Sequence, residues 1–348
     1  MKQYKSIDLA KFVCALLIII LHTAPFMSYS KVLTVGFRNI ITPIAVPFFF
    51  VASGFIAFKK IDSKEGVEQT QYVKKHLMRL FIMYLIWSAI YFVFVIIKWA
   101  NAKDFSIFYV LEYIKDFFFE GSYSTIWFLP ALFTATMLVW LLHKKLTYKK
   151  IFIIACVVYV FTLGGSSYYG LVCKIPLIKD IYNIYYSFFD TIKNGVCFGM
   201  IFVCMGAMLA EGEDIIIQKS TMTKTLTVLS LCAIFLAIEE LAIGILNWNL
   251  KGVDTVIMLV PFSWFFFVFL LKWEINGSDK LFLSMRKYSL LMFLCQRIPL
   301  SMIDIFMSDS LIATNSMLYF IVVLMVTLCI AFLIINCSKK IKWLKYLY

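Results

Sequence analysis

The sequence predicts an all-α polytopic membrane protein with about ten transmembrane helices, and three observations lead to that fold class. Of the 348 residues, 62% are hydrophobic and 35 are Phe, more than a soluble domain of this length carries. The apolar residues form continuous runs of about 20, the length that crosses a bilayer as a helix. The runs do not alternate apolar and polar residues, which argues against a barrel of strands, so only helices can satisfy the backbone in lipid.

Ten runs have this character. The fifth is short and the seventh contains Glu239 and Glu240, so these two depart most from the pattern. The predicted spans are 7–27, 38–58, 77–98, 125–143, 150–164, 194–211, 224–246, 253–273, 287–306 and 316–337. We expect them to form a single transmembrane domain over residues 1–348.

The net charge of +13 reflects membrane orientation rather than nucleic-acid binding. With the N-terminus inside, the predicted cytoplasmic segments hold 22 of the 33 Lys and Arg, and the outer loops hold 9; Lys11 and Arg297 lie within spans. An excess of basic residues in cytoplasmic loops orients membrane proteins. The distribution therefore places both termini in the cytoplasm, and we expect no nucleic-acid partner.

Cysteine usage supports neither a disulfide framework nor a zinc site. The nine cysteines fall almost entirely inside predicted spans, and no two are spaced as CxxC, so we expect no bound metal. The first apolar run is long and no small-residue cleavage site follows it. We therefore expect an uncleaved anchor rather than a signal peptide.

Three connecting segments have a recognisable pattern. Residues 59–79 are amphipathic and charged, which suits a segment lying at the cytoplasmic surface. Residues 101–125 repeat apolar side chains at helical spacing and predict an interfacial helix. Residues 165–193 are rich in Tyr with little regular period, and we expect this loop to form the lid or rim of an outer cavity.

The stretch DLAKFVCALLIIILHT, residues 8–23, places polar groups in an otherwise apolar span. Asp8, Lys11 and His22 fall on one helical face, and the 11 residues from Lys11 to His22 correspond to about 16 Å of rise. Intramembrane polar groups are costly and need a partner or a function. The structural alternative is that Lys11 extends to the interface and that His22 bonds to a neighbouring helix.

These residues resemble the acyltransferase 3 family of membrane proteins, whose first helix carries an arginine, ten residues and then a histidine. Lys11 and His22 hold those places here. The likeness continues at ITPIAVPFFFVASGF (41–55), TIWFLPAL (125–132) and KNGVCFGMIFVCMGAMLA (193–210). The last two stretches are similar to the branch that contains the membrane domain of vancomycin-resistance serine racemases.

The resemblance implies an enzyme, an O-acyltransferase of the bacterial cytoplasmic membrane. Its donor would be a cytoplasmic acyl-CoA, with acetyl as the expected group. Its acceptor would be a hydroxyl of an extracytoplasmic glycan or a related cell-envelope molecule. Acyl-CoA, the acceptor and membrane lipid are the expected partners, and no cofactor is expected to stay bound.

The first helix suits this reaction. A cation near the inner surface can hold the donor's phosphates, so Lys11 is the expected donor contact, with Asp8 holding it in position. A neutral imidazole takes a hydroxyl proton at neutral pH, so His22 is the expected general base.

Three further residues are candidates for the same reaction, each with a structural alternative. Glu120 is a candidate second catalytic acid, or only the polar end of an interfacial helix. Ser53 is a candidate substrate contact, although the small residues Ser53 and Gly54 also suit close helix packing. Trp127 is a candidate sugar platform, or a packing residue.

The sequence departs from the family pattern at three positions. Lys11 stands where Arg is usual, which keeps the charge but loses the bidentate guanidinium. Pro43 and Thr125 stand where relatives commonly have Arg and His. These departures leave two other classes open: a permease or binding module for a small molecule such as serine, and a catalytically inert scaffold for envelope enzymes.

The remaining polar residues within spans suggest structural roles. Glu239 and Glu240 would bind a cation or lie near a water-exposed end. Arg297 and Asp304, seven residues apart on one helical face, would pair with each other or with these glutamates. His76 and His143 lie in basic inner loops, where we expect them to face solvent.

Overall fold

The computed structural model describes residues 3–101, 106–308 and 310–348, and every regular element within them is helical, which confirms the all-α class. Short π-helical segments cover Gly36–Ile41 and Gly195–Gly199, and 3-10 helices cover Thr42–Ile44 and Lys342–Leu347. The α-helices, α1 to α17 in chain order, are Lys5–Thr23, Lys31–Val35, Ala45–Ile61, Gly66–Asn101, Ile107–Phe119, Phe128–His143, Tyr148–Gly165, Tyr169–Val172, Pro176–Tyr186, Met200–Glu211, Glu213–Lys219, Met222–Ile245, Leu259–Lys272, Asp279–Cys295, Arg297–Phe306, Leu311–Thr314 and Ser316–Cys337.

Seven helical stretches of the described chain are long and apolar enough to cross a membrane. A bent pair, Gly195–Glu211 and Glu213–Lys219, meets at 77° and would make an eighth. The seven are Lys5–Thr23, Lys31–Ile61, Gly66–Asn101, Tyr148–Gly165, Met222–Ile245, Asp279–Phe306 and Ser316–Cys337. The chain is a multi-pass membrane protein. Predicted spans four and eight correspond to the shorter apolar helices α6 and α13, so the number ten and the cytoplasmic termini stay predictions.

Two connecting segments differ from expectation. Gly66 to Met78, expected within a separate surface segment, are instead the first turns of the 36-residue helix α4. The Gln69 amide donates to the carbonyls of Ile61 and Lys64, both at 3.1 Å, and so ties the preceding loop to the start of this helix. Charged side chains on these turns are compatible with a continuous helix. The polar side chain of Gln69 also bonds to carbonyl groups of the loop before the helix.

The Tyr-rich stretch 165–193, expected to be a loop, contains the helices α8 and α9; its role as a lid or rim stays a prediction. Tyr169, Tyr182 and Ile192 form a buried cluster, and the Tyr182 hydroxyl donates to the carbonyl of Phe161 at 2.8 Å. Helix α9 begins with Pro176 in its first turn, a start signal that the sequence contains. The helix expected in 101–125 is present as α5, with Ser106 accepting from Phe108 N–H at its start; residues 102–105 lie outside the described residues, and the interfacial position stays a prediction.

The chain divides into two compact units. Unit 1 comprises Met1–Ala45, Arg79–Leu129 and Ile275–Tyr348. Within it α1 packs along α14 and α17, and α15 packs on α17. Unit 2 comprises Val46–Met78 and Pro130–Glu274. Within it α7 packs on α10, and α13 packs on α12, α10 and α11. The single domain over residues 1–348 stays a prediction.

Candidate functional site

Helix α1 carries both ends of the predicted site. Its buried face is mainly apolar, with Cys14, Ala15, Ile18 and Ile19 among its members. Lys11 is half-buried, and His22 is exposed in the last turn. The helix ends directly after this turn, since Ala24 adopts the left-handed conformation with φ 43°. One continuous helix therefore holds the ammonium and the imidazole 11 residues apart, about 16 Å along its axis.

The carboxylate of Asp8 is bound by a guanidinium from a distant part of the chain. Arg286 donates from Nε to Oδ1 at 2.7 Å and from Nη2 to Oδ2 at 2.8 Å. Asp8 is only 1% exposed, whereas the Arg286 side chain is 42% exposed. Planar bidentate pairing is the strongest arrangement available to these two groups. Both Asp8 oxygens are thus occupied by Arg286, a residue that the sequence did not connect with α1.

A second set of contacts fixes the direction of the two helices. The Lys5 ammonium lies 2.8 Å from Asp279 Oδ1 and donates to the carbonyl of Gly277 at 2.8 Å. Because Lys5 pairs near the start of α14 and Asp8 pairs further along it, α1 and α14 run parallel. Lys11 interacts electrostatically with both Asp8 and Arg286. Two cations and one buried carboxylate therefore meet near the first turns of the helix pair.

The other end of the α1–α14 pair is also polar. Helix α14 ends at Cys295 and α15 begins at Arg297, with Gln296 fully buried between them. Within the described chain, Gln296 Oε1 and Arg297 Nε are buried without a hydrogen-bond partner. Arg297 Nη2 lies 4.0 Å from Asp304 Oδ2. The two residues therefore pair with each other, the first of the two pairings expected from the sequence. Because the helices are parallel, Arg297 and His22 lie toward the same end of the pair.

Glu120 and Trp127 lie in one turn-rich segment after α5. Glu120 is half-buried and caps the helix, its N–H donating to the carbonyl of Asp116 at 2.9 Å. Gly121 follows with φ +103°, and a Cβ there would lie 2.6 Å from the Trp127 Cα. Only glycine combines this conformation with such a close approach. The predicted acid and the predicted aromatic platform are therefore held by the same backbone turn; their roles stay predictions.

Ser53 lies on α3 in unit 2, in a region of close helix packing. A Cβ on Gly54 would lie 2.5 Å from the carbonyl oxygen of Val203, and one on Gly206 would lie 2.3 Å from that of Val51. The backbones of α3 and α10 thus meet through two glycines, which supports the packing interpretation of Gly54. Ser53 itself is half-buried, and substrate contact by its hydroxyl stays a prediction.

Unit 2 also contains a charged cavity of about 500 Å³. Its lining includes Lys59, Asp62, Lys64, His143 and Glu211. The Tyr148 hydroxyl donates to both oxygens of Asp62 at 2.9 and 3.0 Å, and the His143 ring stacks on Tyr148 with centroids 3.7 Å apart. Burial raises the pKa of Asp62, although the hydrogen bonds from Tyr148 oppose this shift. His143 is thus half-buried against a tyrosine, rather than simply facing solvent.

The fold and the polar groups of α1 define a multi-pass helical membrane protein with a basic residue and a histidine on its first helix. The family model of the acyltransferase 3 family, described as an acyltransferase domain, matches residues 4–336. The chain belongs to this family.

Relatives of the chain carry racemase names. It is 26% identical over 345 residues to an "Amino-acid racemase" of Enterococcus faecalis, covering 98% of this chain and 46% of the relative. It is 23% identical over 343 residues to a "Serine/alanine racemase" of Enterococcus gallinarum, covering 98% of this chain and 47% of the relative. The chain therefore spans about half the length of the curated relatives it matches. No solved structure matches the chain significantly.

Proposed function

We propose that the protein is a membrane O-acyltransferase. It moves an acyl group, with acetyl as the expected one, from a cytoplasmic acyl-CoA to a hydroxyl of an extracytoplasmic glycan in the bacterial cell envelope. The family match over residues 4–336 supports acyl transfer. The observation that carries the proposal is the placement of Lys11 and His22 on one unbroken helix, about 16 Å apart.

In this proposal His22 performs the proton transfers. Its neutral imidazole takes the proton of the acceptor hydroxyl as the oxygen attacks the thioester carbonyl. The C–S bond then breaks, and the leaving thiolate takes the proton from the imidazolium. The product is an ester and a free thiol, and His22 returns to its neutral form. The exposed position of His22 in the last turn of α1 is compatible with access by both substrates.

The donor end of the site rests on two cations. Lys11 contacts the phosphates of acyl-CoA as a point charge. Arg286 uses two of its five N–H donors on Asp8, which leaves three for a phosphate. Asp8 thus acts by holding Arg286, in addition to its electrostatic interaction with Lys11. The guanidinium that relatives have at position 11 would be replaced here by one supplied from α14.

The test is replacement of His22 by Ala, followed by measurement of acyl groups on cell-envelope glycans. Loss of a general base lowers the rate about 10²- to 10⁴-fold, so modification should fall to background. His143→Ala is a matched control, because it removes an imidazole outside α1. Unchanged glycan acylation in a His22→Ala strain that makes normal amounts of protein would overturn the proposal.

A second candidate function follows from the names of the relatives. A membrane module that binds or moves an amino acid would fit a protein whose relatives are named amino-acid and serine/alanine racemases. Uptake of labelled serine into vesicles with and without the protein separates this function from acyl transfer. Serine uptake that survives His22→Ala, with no acyl transfer by the unmodified protein, would favour the module.

A further inference from the structure

We propose that unit 2 contains a binding site for the ammonium group of a small organic amine, with Glu240 as its anionic ligand. The site lies in an acidic cluster formed by Glu239 and Glu240 of α12 and by Asp254 in the following loop. It shares no residue with the acyl-transfer site proposed above. The two proposals therefore stand or fall separately.

Two of the three acids already have partners. Glu239 accepts the Tyr168 hydroxyl and also the N–H groups of Ile257 and Met258, at 2.6 and 2.8 Å. These N–H groups directly precede α13, where a carboxylate is favoured by the helix dipole. Asp254 accepts from the Lys193 ammonium at 2.6 and 2.8 Å. Glu239 thus joins α12 to α13, and Asp254 is neutralised by Lys193.

Glu240 is the acid that has no hydrogen-bond donor among the described residues. It is 4% exposed, and its Oε1 has no hydrogen-bond partner in the described part of the chain. Its electrostatic neighbours include Asp254 and Glu239, both acidic. A buried carboxylate without a donor costs free energy comparable to a lost hydrogen bond, or more. A cationic ligand would supply the missing donor and would favour the ionised form of this carboxyl group.

A second polar atom in this region also lacks a partner. Thr255, which follows Asp254, is 0% exposed, and its Oγ1 has no partner among the described residues. Its backbone is held in place, since its N–H donates to Ser167 Oγ at 3.2 Å. A buried hydroxyl can accept a hydrogen bond from an ammonium group, which carries several N–H donors. Thr255 adjoins Asp254, an electrostatic neighbour of Glu240, and in the proposed site its hydroxyl is the neutral acceptor beside the carboxyl group.

The surroundings favour an ammonium over a metal ion. Both oxygens of Glu239 and both of Asp254 are occupied, which leaves one carboxylate instead of the several oxygens that Ca²⁺ or Mg²⁺ takes. Aromatic rings border the cluster: Tyr168 packs on Trp248 with centroids 5.9 Å apart, and Tyr159 interacts electrostatically with Glu240. A carboxylate beside aromatic faces is suited to an organic cation.

The test is calorimetric titration of the full chain in detergent micelles with ethanolamine, L-serine and glycolate. Ethanolamine and serine carry an ammonium and should bind, whereas glycolate lacks one and should not. Glu240→Gln removes the charge and should weaken amine binding roughly 10- to 100-fold. Glu274→Gln makes the same change at an exposed acid and should bind amines as the unmodified chain does.

Thr255→Val provides a second variant, expected to weaken amine binding severalfold, and it decides the question if Glu240→Gln does not fold. His22→Ala should bind amines normally, which separates this site from the acyl-transfer site. Equal binding of glycolate and ethanolamine would overturn the proposal. So would unchanged amine affinity in the folded variants of Glu240 and Thr255, or a titration in which only Na⁺ gives a signal.

Discussion

Arg286 and Asp8, 278 residues apart in sequence, form a bidentate ion pair with N–O distances of 2.7 and 2.8 Å. The Asp8 side chain is buried, and the Arg286 side chain is partly exposed. The pair joins α14 to the first helix close to Lys11, so it determines where the cations of this region lie.

The pair should contribute measurably to stability. Asp8→Asn removes the charge that both Arg286 bonds use, and hydrogen bonds to charged groups contribute about 1.5–3 kcal/mol. We expect the free energy of unfolding to fall by about 2 kcal/mol, measured by thermal or detergent-induced unfolding. Asp279→Asn is the control, because that aspartate pairs with Lys5 in an exposed position and should contribute at most about 1 kcal/mol. Equal losses in the two variants would contradict this assignment.

The KM for acyl-CoA should depend on the positive charge at position 11 more than on the shape of the side chain. Lys11→Met removes the proposed phosphate contact and should raise the KM for acyl-CoA about tenfold or more, with a smaller change in kcat. Lys11→Arg keeps the charge and restores a bidentate donor, so its KM should equal or fall below that of the unmodified protein. Glycan acylation with added acyl-CoA in membrane vesicles measures both. A Lys11→Met protein with normal KM would remove Lys11 from the donor site.

The contact between α3 and α10 should tolerate no added methyl group. Gly206→Ala would place a Cβ 2.3 Å from the Val51 carbonyl oxygen and 2.6 Å from the Phe55 nitrogen. Backbone atoms cannot rotate away, so we expect a loss of about 1–3 kcal/mol in the free energy of unfolding.

Gly244 is the matched control for this substitution, because a Cβ there meets no described atom within 4 Å. Alanine is the better helix former, and Gly244→Ala should stabilise the protein by up to about 1 kcal/mol. If Gly206→Ala is as stable as the unmodified protein, α3 and α10 do not meet as described.

Asp62 should make stability depend on pH. Burial raises the pKa of Asp62 above the ordinary value of 3.8. At pH values between 3.8 and the raised pKa, the folded state therefore binds more protons than the unfolded state. The stability of the protein should therefore fall as the pH rises from about 4 through the raised pKa, relative to an Asp62→Asn variant that cannot ionise.

Thermal unfolding of both proteins between about pH 4 and pH 8 measures this difference. The Asn side chain can still accept from Tyr148, so the comparison isolates the charge. A pH-independent difference between the Asp62 proteins would mean that Asp62 is not held in a desolvated site.

Several features of this protein could be predicted from neighbouring residues alone. The length and composition of each apolar run identify a membrane helix, because every backbone hydrogen bond of a helix is made within the segment. The last span, residues 316–337, coincides with α17 for this reason. The placement of Lys11 and His22 on one helix face follows from the helical period, and the family follows from motifs around the same residues.

Some helices could not be predicted from the sequence, because their periodic pattern is weak and packing against other residues stabilises them. Residues 165–193 lack a clear period, yet α9 forms there because Tyr182 is buried against Phe161 and Tyr169. The charged residues before Arg79 looked like a surface segment, yet they continue into α4. For α9, a contact outside the segment, between Tyr182 and Phe161, favours the helix.

The helical class, the family and the positions of the lysine and the histidine along the first helix can all be read from the amino-acid order, since these depend on residues a few turns apart. Three pairings emerge only from the packed helices: Arg286 binds Asp8, Glu239 caps α13, and Glu240 is buried with no donor among the residues that the structure describes. Such pairings join residues far apart in the chain, and no periodicity encodes them. They arise from the way the helices pack, because a buried charge must find its partner in whatever helix the fold brings beside it.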